Sequence, residues 1–170
     1  MVRRATASHF TLSDFKVSYP TCMKWKCQKC SVCCQDTVNR RRHVMLLAIE
    51  GNEISKGTGI PIEQFASKTS NETYSYEMLK NNGACRFLAG NTCLVYDHRP
   101  LVCVFYPFEM KNEGDSLKIL LTGGDCPGIG RGEKLQETFF RRLAETAIGR
   151  LKSADSTGSP STPLRSAYDR

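Results

Sequence analysis

No apolar run in the 170-residue chain approaches the about 18 residues that a membrane-spanning helix needs, so no bilayer span is expected. The first residues, Met1 to Phe10, lack the apolar core of a secretory signal, and the nine cysteines are an odd number. Both features argue against a secreted disulfide framework and for a reducing, cytoplasmic setting. No serine, histidine and acid grouping stands out for nucleophilic catalysis. There is also no paired-carboxylate motif and no glycine-rich nucleotide loop after an apolar strand. No catalytic residue is named, and enzymatic activity is left open. Core-forming residues are scarce: the hydrophobic fraction of 40% includes the cysteines and falls to about 35% without them. Metal coordination is therefore expected to supply part of the folding free energy.

The chain is rich in thiols. Cys27, Cys30, Cys33 and Cys34 lie within eight residues, and Cys85, Cys93, Cys103 and Cys126 follow. Two overlapping Cys-x-x-Cys steps let one tight loop turn successive thiolates inward around zinc or an iron–sulfur cluster, and distant cysteines close the shell. Cys27, Cys30 and Cys33 repeat ferredoxin-like spacing, for which Cys126-Pro127 is a candidate fourth ligand followed by proline; zinc sites use Cys-x-x-Cys pairs as well, so this spacing separates a [4Fe-4S] cluster from zinc only weakly. Cys33 and Cys34 are neighbours whose side chains are expected to diverge, so one of them is assigned to a second site. Two groups of four thiolates, both fed by the loop, compete with one four-cysteine site whose remaining thiols pack as small apolar residues. Cys22 falls outside the spacing and is taken as the odd thiol. His43 and His98 are weaker candidates than any of the eight cysteines.

The formal charge of +7 assumes neutral thiols. Eight thiolates and two zinc ions would bring it to about +3, an ordinary value. Arg40-Arg41-Arg42 is expected to form a solvated face, and nucleic-acid binding is not favoured. Arg99 is either a donor to the sulfurs or a solvated turn residue, with Pro100 holding the chain extended toward Cys103. Tyr96, Phe105, Tyr106 and Phe108 surround the second cysteine group and are favoured as core.

The expected organisation is a small, loop-rich, metal-stapled α+β domain over residues 22–152, a weakly ordered segment over 1–21 and a disordered tail over 153–170. A short strand is expected at His9 to Leu12. Val44 to Glu50 reads as a strand or a helix start, with Gly51, Gly57 and Gly59 arguing against a long helix. A short helix is expected at Pro61 to Ser67, and a hairpin pairing 72–79 with 85–88 across Asn81-Asn82-Gly83. Leu117 to Thr122 is the clearest strand. Leu135, Phe139, Leu143, Ala147 and Leu151 recur every four residues, predicting an amphipathic helix from Glu133 to about Leu151.

Taken in order, Cys27-x-x-Cys30-x-x-Cys33-Cys34, Cys85-Arg86-Phe87-Leu88, Cys93 to Pro100, Cys103 to Phe108 and Cys126-Pro127-Gly128 resemble the YkgJ-type cysteine-cluster family, the zinc- or iron-chelating CxxCxxCC domain. The resemblance covers roughly residues 25–132. It implies a small cytosolic bacterial or archaeal metal-binding domain, here read as holding an iron–sulfur cluster for electron transfer or redox sensing. The alternative is a structural zinc module that binds a protein or nucleic-acid partner, and a redox or other protein partner is left unidentified. Related sequence occurs in flagellin lysine methylases, but that activity is not carried over to this shorter chain. The family commonly has glycine between the second and third cysteines, where this chain has Ser31-Val32.

Overall fold

The computed structural model describes residues 11–155. In chain order the elements are β1 (Lys16–Ser18), β2 (Lys24–Trp25), β3 (Met45–Leu46), α1 (Ala48–Thr58), β4 (Ala66–Lys68), β5 (Tyr76–Met78), β6 (Lys80–Asn81) and β7 (Ala84–Cys85). They continue with β8 (Leu88–Ala89), β9 (Thr92–Cys93), α2 (Leu101–Phe105), β10 (Phe108–Asn112), β11 (Ser116–Leu121), β12 (Ile129–Lys134) and α3 (Glu137–Asp155). The class is small α+β, as expected. Of the strand anticipated at 9–12, the first two residues lie outside the described residues; Thr11 instead caps a 3-10 turn at Leu12–Asp14. Most of the 153–170 tail also lies outside them, while Ser153–Asp155 continue α3.

Two layers build the core. In the first, β1, β11 and β10 form a sheet in which β1 runs parallel and β10 antiparallel to β11. The apolar stripe of α3 packs with this layer through Phe140, Leu143 and Ala147 against Phe108, Ile119, Leu101 and Phe105. Phe140 is fully buried, stacked on Tyr19 at 4.8 Å and edge-on to Phe108 at 5.5 Å. Burial of such a ring contributes about 1.5–3 kcal/mol. The four-residue periodicity thus finds its partner, but the helix starts later than its pattern suggested because Glu133 and Lys134 finish β12, which pairs with β2.

The second layer is the antiparallel sheet β3-β5-β4 with α1. Leu46, Ile54, Phe65, Met78 and Phe87 are its centre, and Cys85, Cys93 and Cys103 pack against it. Here the glycine argument fails, since α1 runs eleven residues through Gly51 and Gly57. Packing is tight at Gly51, where a Cβ would lie 3.3 Å from the Tyr76 ring, whereas at Gly57 it would meet only the end of the exposed His98 side chain, at 2.8 Å, which can turn away. Gly59, at φ +71°, then ends the helix in the left-handed conformation.

The anticipated hairpin is present but shorter. Only β6 and β7 pair across Asn82-Gly83, while Tyr76–Met78 is taken up by β3 and β4. The Pro61 segment makes a single 3-10 turn, Ile62–Gln64. Pro100 does not hold the chain extended toward Cys103; it is the N-cap of α2, inside which Cys103 lies.

Candidate metal centre

The cysteine loop turns on Ser31, whose backbone is left-handed at φ 59°. A non-glycine residue there costs about 1–2 kcal/mol. The Ser31 hydroxyl, 2.6 Å from the Cys30 carbonyl and 3.1 Å from Asn91 Oδ1, offsets this while tying the loop to the β8–β9 turn. Serine therefore adopts the conformation that a glycine would adopt without strain. The turn launches a 3-10 helix, Val32–Cys34, and so the expected divergence of Cys33 and Cys34 does not occur: their sulfurs are 3.6 Å apart.

Past the loop, Gln35 bridges Ala84 and the Asp36 N–H donates to the Gly83 carbonyl, which lays Cys34 alongside Cys85. The Asp36 carboxylate accepts the Arg42 N–H at 2.7 Å and the Lys80 ammonium at 3.0 Å, and the first of these leads in holding its carboxyl below the usual range. Cys93 sits in β9 opposite Leu88, and Cys103 reaches the same neighbourhood from α2. Cys33, Cys34, Cys85 and Cys103 are near enough to act on one another's ionisation, and Cys93 is near enough to Cys85 and Cys103 to push both up. Cys33 is lowered to about 6 by the hydrogen bond from the Cys34 thiol, with Arg42 and Arg40 adding to it. Cys34 is raised, first by donating that bond and then by burial. Burial pushes Cys85 up and takes Cys103 to about 12, with Arg42 opposing both. Within the pair the proton is thus favoured on Cys34 and the negative charge on Cys33, while burial opposes ionisation of the deeper thiols unless a cation compensates them.

A second group forms around Cys126. The Trp25 indole N–H donates to Cys126 Sγ at 3.4 Å, and the Lys26 N–H donates to the Gly128 carbonyl at 3.1 Å, which brings Cys27 beside the Cys126 turn. Gly128 is essential to that approach because a Cβ there would lie 2.4 Å from the Lys26 carbonyl oxygen. Gly128→Ala is expected to lower unfolding free energy by about 1–3 kcal/mol in a denaturant titration, and an unchanged midpoint would refute the close approach. Arg40 links the two groups: it donates to the Val32 carbonyl at 2.8 Å and sits 3.2 Å from Asp125 Oδ1, which also accepts the Tyr106 hydroxyl.

Among the described residues, no three cysteine, histidine, aspartate or glutamate side chains converge on one ion-sized point. The donors present are a sulfur contact pair with further thiols around it. All nine cysteines are free, and Cys22 is exposed. His43 pairs with Glu77 at 2.6 Å, and His98 packs on Gly57. Arg99 lies over the Tyr96 ring at 3.7 Å and donates to the Tyr96 carbonyl; the guanidinium next to the sulfurs is that of Arg42. Arg42 is 2% exposed, so the arginine run is not a uniform solvated face, and only Arg41 of the three is exposed. Sequence reasoning missed Arg42 because nothing in its local pattern separates it from its neighbours. Phe105, Tyr106 and Phe108 are core, whereas Tyr96 is exposed. A groove of about 700 Å³ beside Trp25 is lined by Lys26, Phe139 and Arg142 among others, but by no cysteine.

Residues 26–127 match the family model CxxCxxCC, "Putative zinc- or iron-chelating domain". The chain belongs to this family. The CxxCxxCC segment holds all eight cysteines singled out above and ends at Pro127, so β12 and α3 lie beyond it. Metal binding is thus the property of this domain, and the thiols within it are donors that suit zinc or iron. No curated protein and no solved structure matches the chain. No helix among the described residues is long and apolar enough to cross a membrane.

Proposed function

We propose that the chain holds a single zinc ion through Cys33, Cys34, Cys85 and Cys103. The ion would fasten the N-terminal cysteine loop to the β6–β7 hairpin and to α2. The 3.6 Å between the Cys33 and Cys34 sulfurs carries this reading. With metal–sulfur bonds of about 2.3 Å, tetrahedral geometry spaces sulfurs about 3.8 Å apart. A cubane cluster instead takes one thiolate at each separate iron, so two thiolates in contact do not serve it together. The four donors come from three segments of a chain with a lean core, which suits a structural role for the ion.

A second reading, an iron–sulfur cluster for electron transfer or redox sensing, draws on the other sulfur group. Cys27 and Cys30 keep the ferredoxin-like spacing, and the Trp25 N–H on Cys126 is the kind of hydrogen bond that tunes a cluster's potential. Anaerobic purification with zinc, iron and sulfide analysis separates the two. Colourless protein with zinc and no sulfide is the expected result, and Cys33→Ser or Cys34→Ser should each release that zinc. Iron with acid-labile sulfide would replace the first reading by the second. Folded, metal-free protein indifferent to chelators would end both.

A further inference from the structure

Arg42 is the most completely buried charged side chain in the neighbourhood of the sulfurs, at 2% exposed. Arginine is almost never buried to this degree without partners that satisfy its fork of donors. Two of those partners are backbone carbonyls on cysteine-bearing segments. Nε donates to the Cys33 carbonyl at 3.0 Å, and Nη2 donates to the Val102 carbonyl, one residue before Cys103, at 3.1 Å. The guanidinium also lies over the Tyr106 ring, 5.4 Å from its centroid, and the Arg42 N–H is held by Asp36 at 2.7 Å. The cation is thus anchored by the loop, by α2 and by the ring beside them, while Asp36 holds its backbone.

We propose that Arg42 is the charge-compensating and positioning residue of the thiolate centre: it joins the Cys33 and Cys103 segments and offsets the negative charge that accumulates when their thiols ionise around a metal. Four thiolates around a divalent ion carry a net charge of about −2, and such a shell is costly in a buried setting without a nearby cation. Arg42 supplies that cation from a fixed position, so no side-chain ordering is needed when metal enters. This inference rests on metal binding by these cysteines, whichever metal it is.

The test is chelator competition for zinc on the whole chain, comparing the wild type with Arg42→Lys, Arg42→Gln and the exposed-site control Arg141→Gln. Loss of an outer-shell partner typically lowers metal affinity 10–100-fold, and that is the loss expected for Arg42→Gln. Arg42→Lys keeps the charge but loses the fork held by the two carbonyls, so it is expected to fall less than about tenfold below the wild type and to bind more tightly than Arg42→Gln, while the control stays within about threefold of the wild type. A merely structural arginine would make the lysine and glutamine variants equally poor, and that result overturns the proposal, as does unchanged affinity in Arg42→Gln. Should Arg42→Gln fail to fold, Arg42→Lys against the wild type decides: a loss of less than about tenfold supports charge compensation, and a larger loss refutes it. If the wild type itself binds no zinc or iron through these thiols, the metal reading has failed and Arg42 is not the cause.

Discussion

Replacing Glu50 by alanine is expected to lower the unfolding free energy by about 3–5 kcal/mol, the loss seen when one partner of a buried ion pair is removed. Glu50 is 1% exposed and accepts three hydrogen bonds: from the Leu47 N–H at 2.9 Å, the Leu101 N–H at 2.6 Å and Arg150 Nη1 at 2.9 Å. These partners stand at the start of α1, the start of α2 and on α3, so a single carboxylate joins all three helices. Truncation would leave two buried N–H groups without an acceptor. Because α2 carries Cys103, zinc affinity should fall as well. Denaturant titration of the two proteins checks the first effect, and a difference below about 1 kcal/mol would mean that the carboxylate is not a joint between helices.

The same group leaves a mark on the pH dependence. Burial pushes the Glu50 carboxyl above its usual range, against the hydrogen bonds from Leu47, Arg150 and Leu101. The folded state therefore keeps this proton to higher pH than the unfolded state does. Its contribution to stability is full below about pH 4.3 and is lost as pH rises through the folded value. Relative to Glu50→Gln, the wild type should lose stability over that interval. Parallel stability profiles for the two proteins would rule the shift out.

Stripping the metal is expected to open one layer of the molecule and spare the other. The layer containing Phe65, Met78 and Phe87 has Cys85, Cys93 and Cys103 packed against it, and its hairpins β6–β7 and β8–β9 pair only two residues per strand. Strand pairs that short are not stable alone. The layer of β10, β11 and α3 rests on Phe108, Ile119 and Phe140, with aromatic contacts that involve no sulfur. After chelation, amide exchange over residues 76–93 should accelerate by at least about 100-fold, with α3 and β10–β11 remaining protected. Uniform acceleration across both layers, or none in either, would show that the metal does not staple this part of the fold.

Several features were legible because their signals are local. The α3 stripe is visible as a four-residue repeat, and β11 as an apolar run ended by Gly123-Gly124, since both depend on residues within a few positions of one another. The boundary at Glu137 was not legible, because β12 takes Glu133 and Lys134 by pairing with a strand more than 100 positions earlier. Nor was the extent of α1, which runs through two helix-averse glycines, Gly51 packing close to the Tyr76 ring. Helix propensity is a weak prior, and tertiary contact overrode it.

The sequence by itself determined the thiol inventory, eight spaced cysteines with no histidine cluster beside them, and the ordered motifs identify its family. Only the tertiary structure decided which sulfurs meet. The left-handed turn at Ser31 closes Cys33 onto Cys34, the Gln35–Ala84 bridge brings Cys85 alongside, and α2 delivers Cys103. The same contacts bury Arg42 and leave Arg99 on Tyr96, although both are single arginines in basic or turn-like surroundings. The physical reason is range: a residue's chemistry is carried by its own side chain, but its neighbours are set by strand register and helix packing between segments 50 or more positions apart.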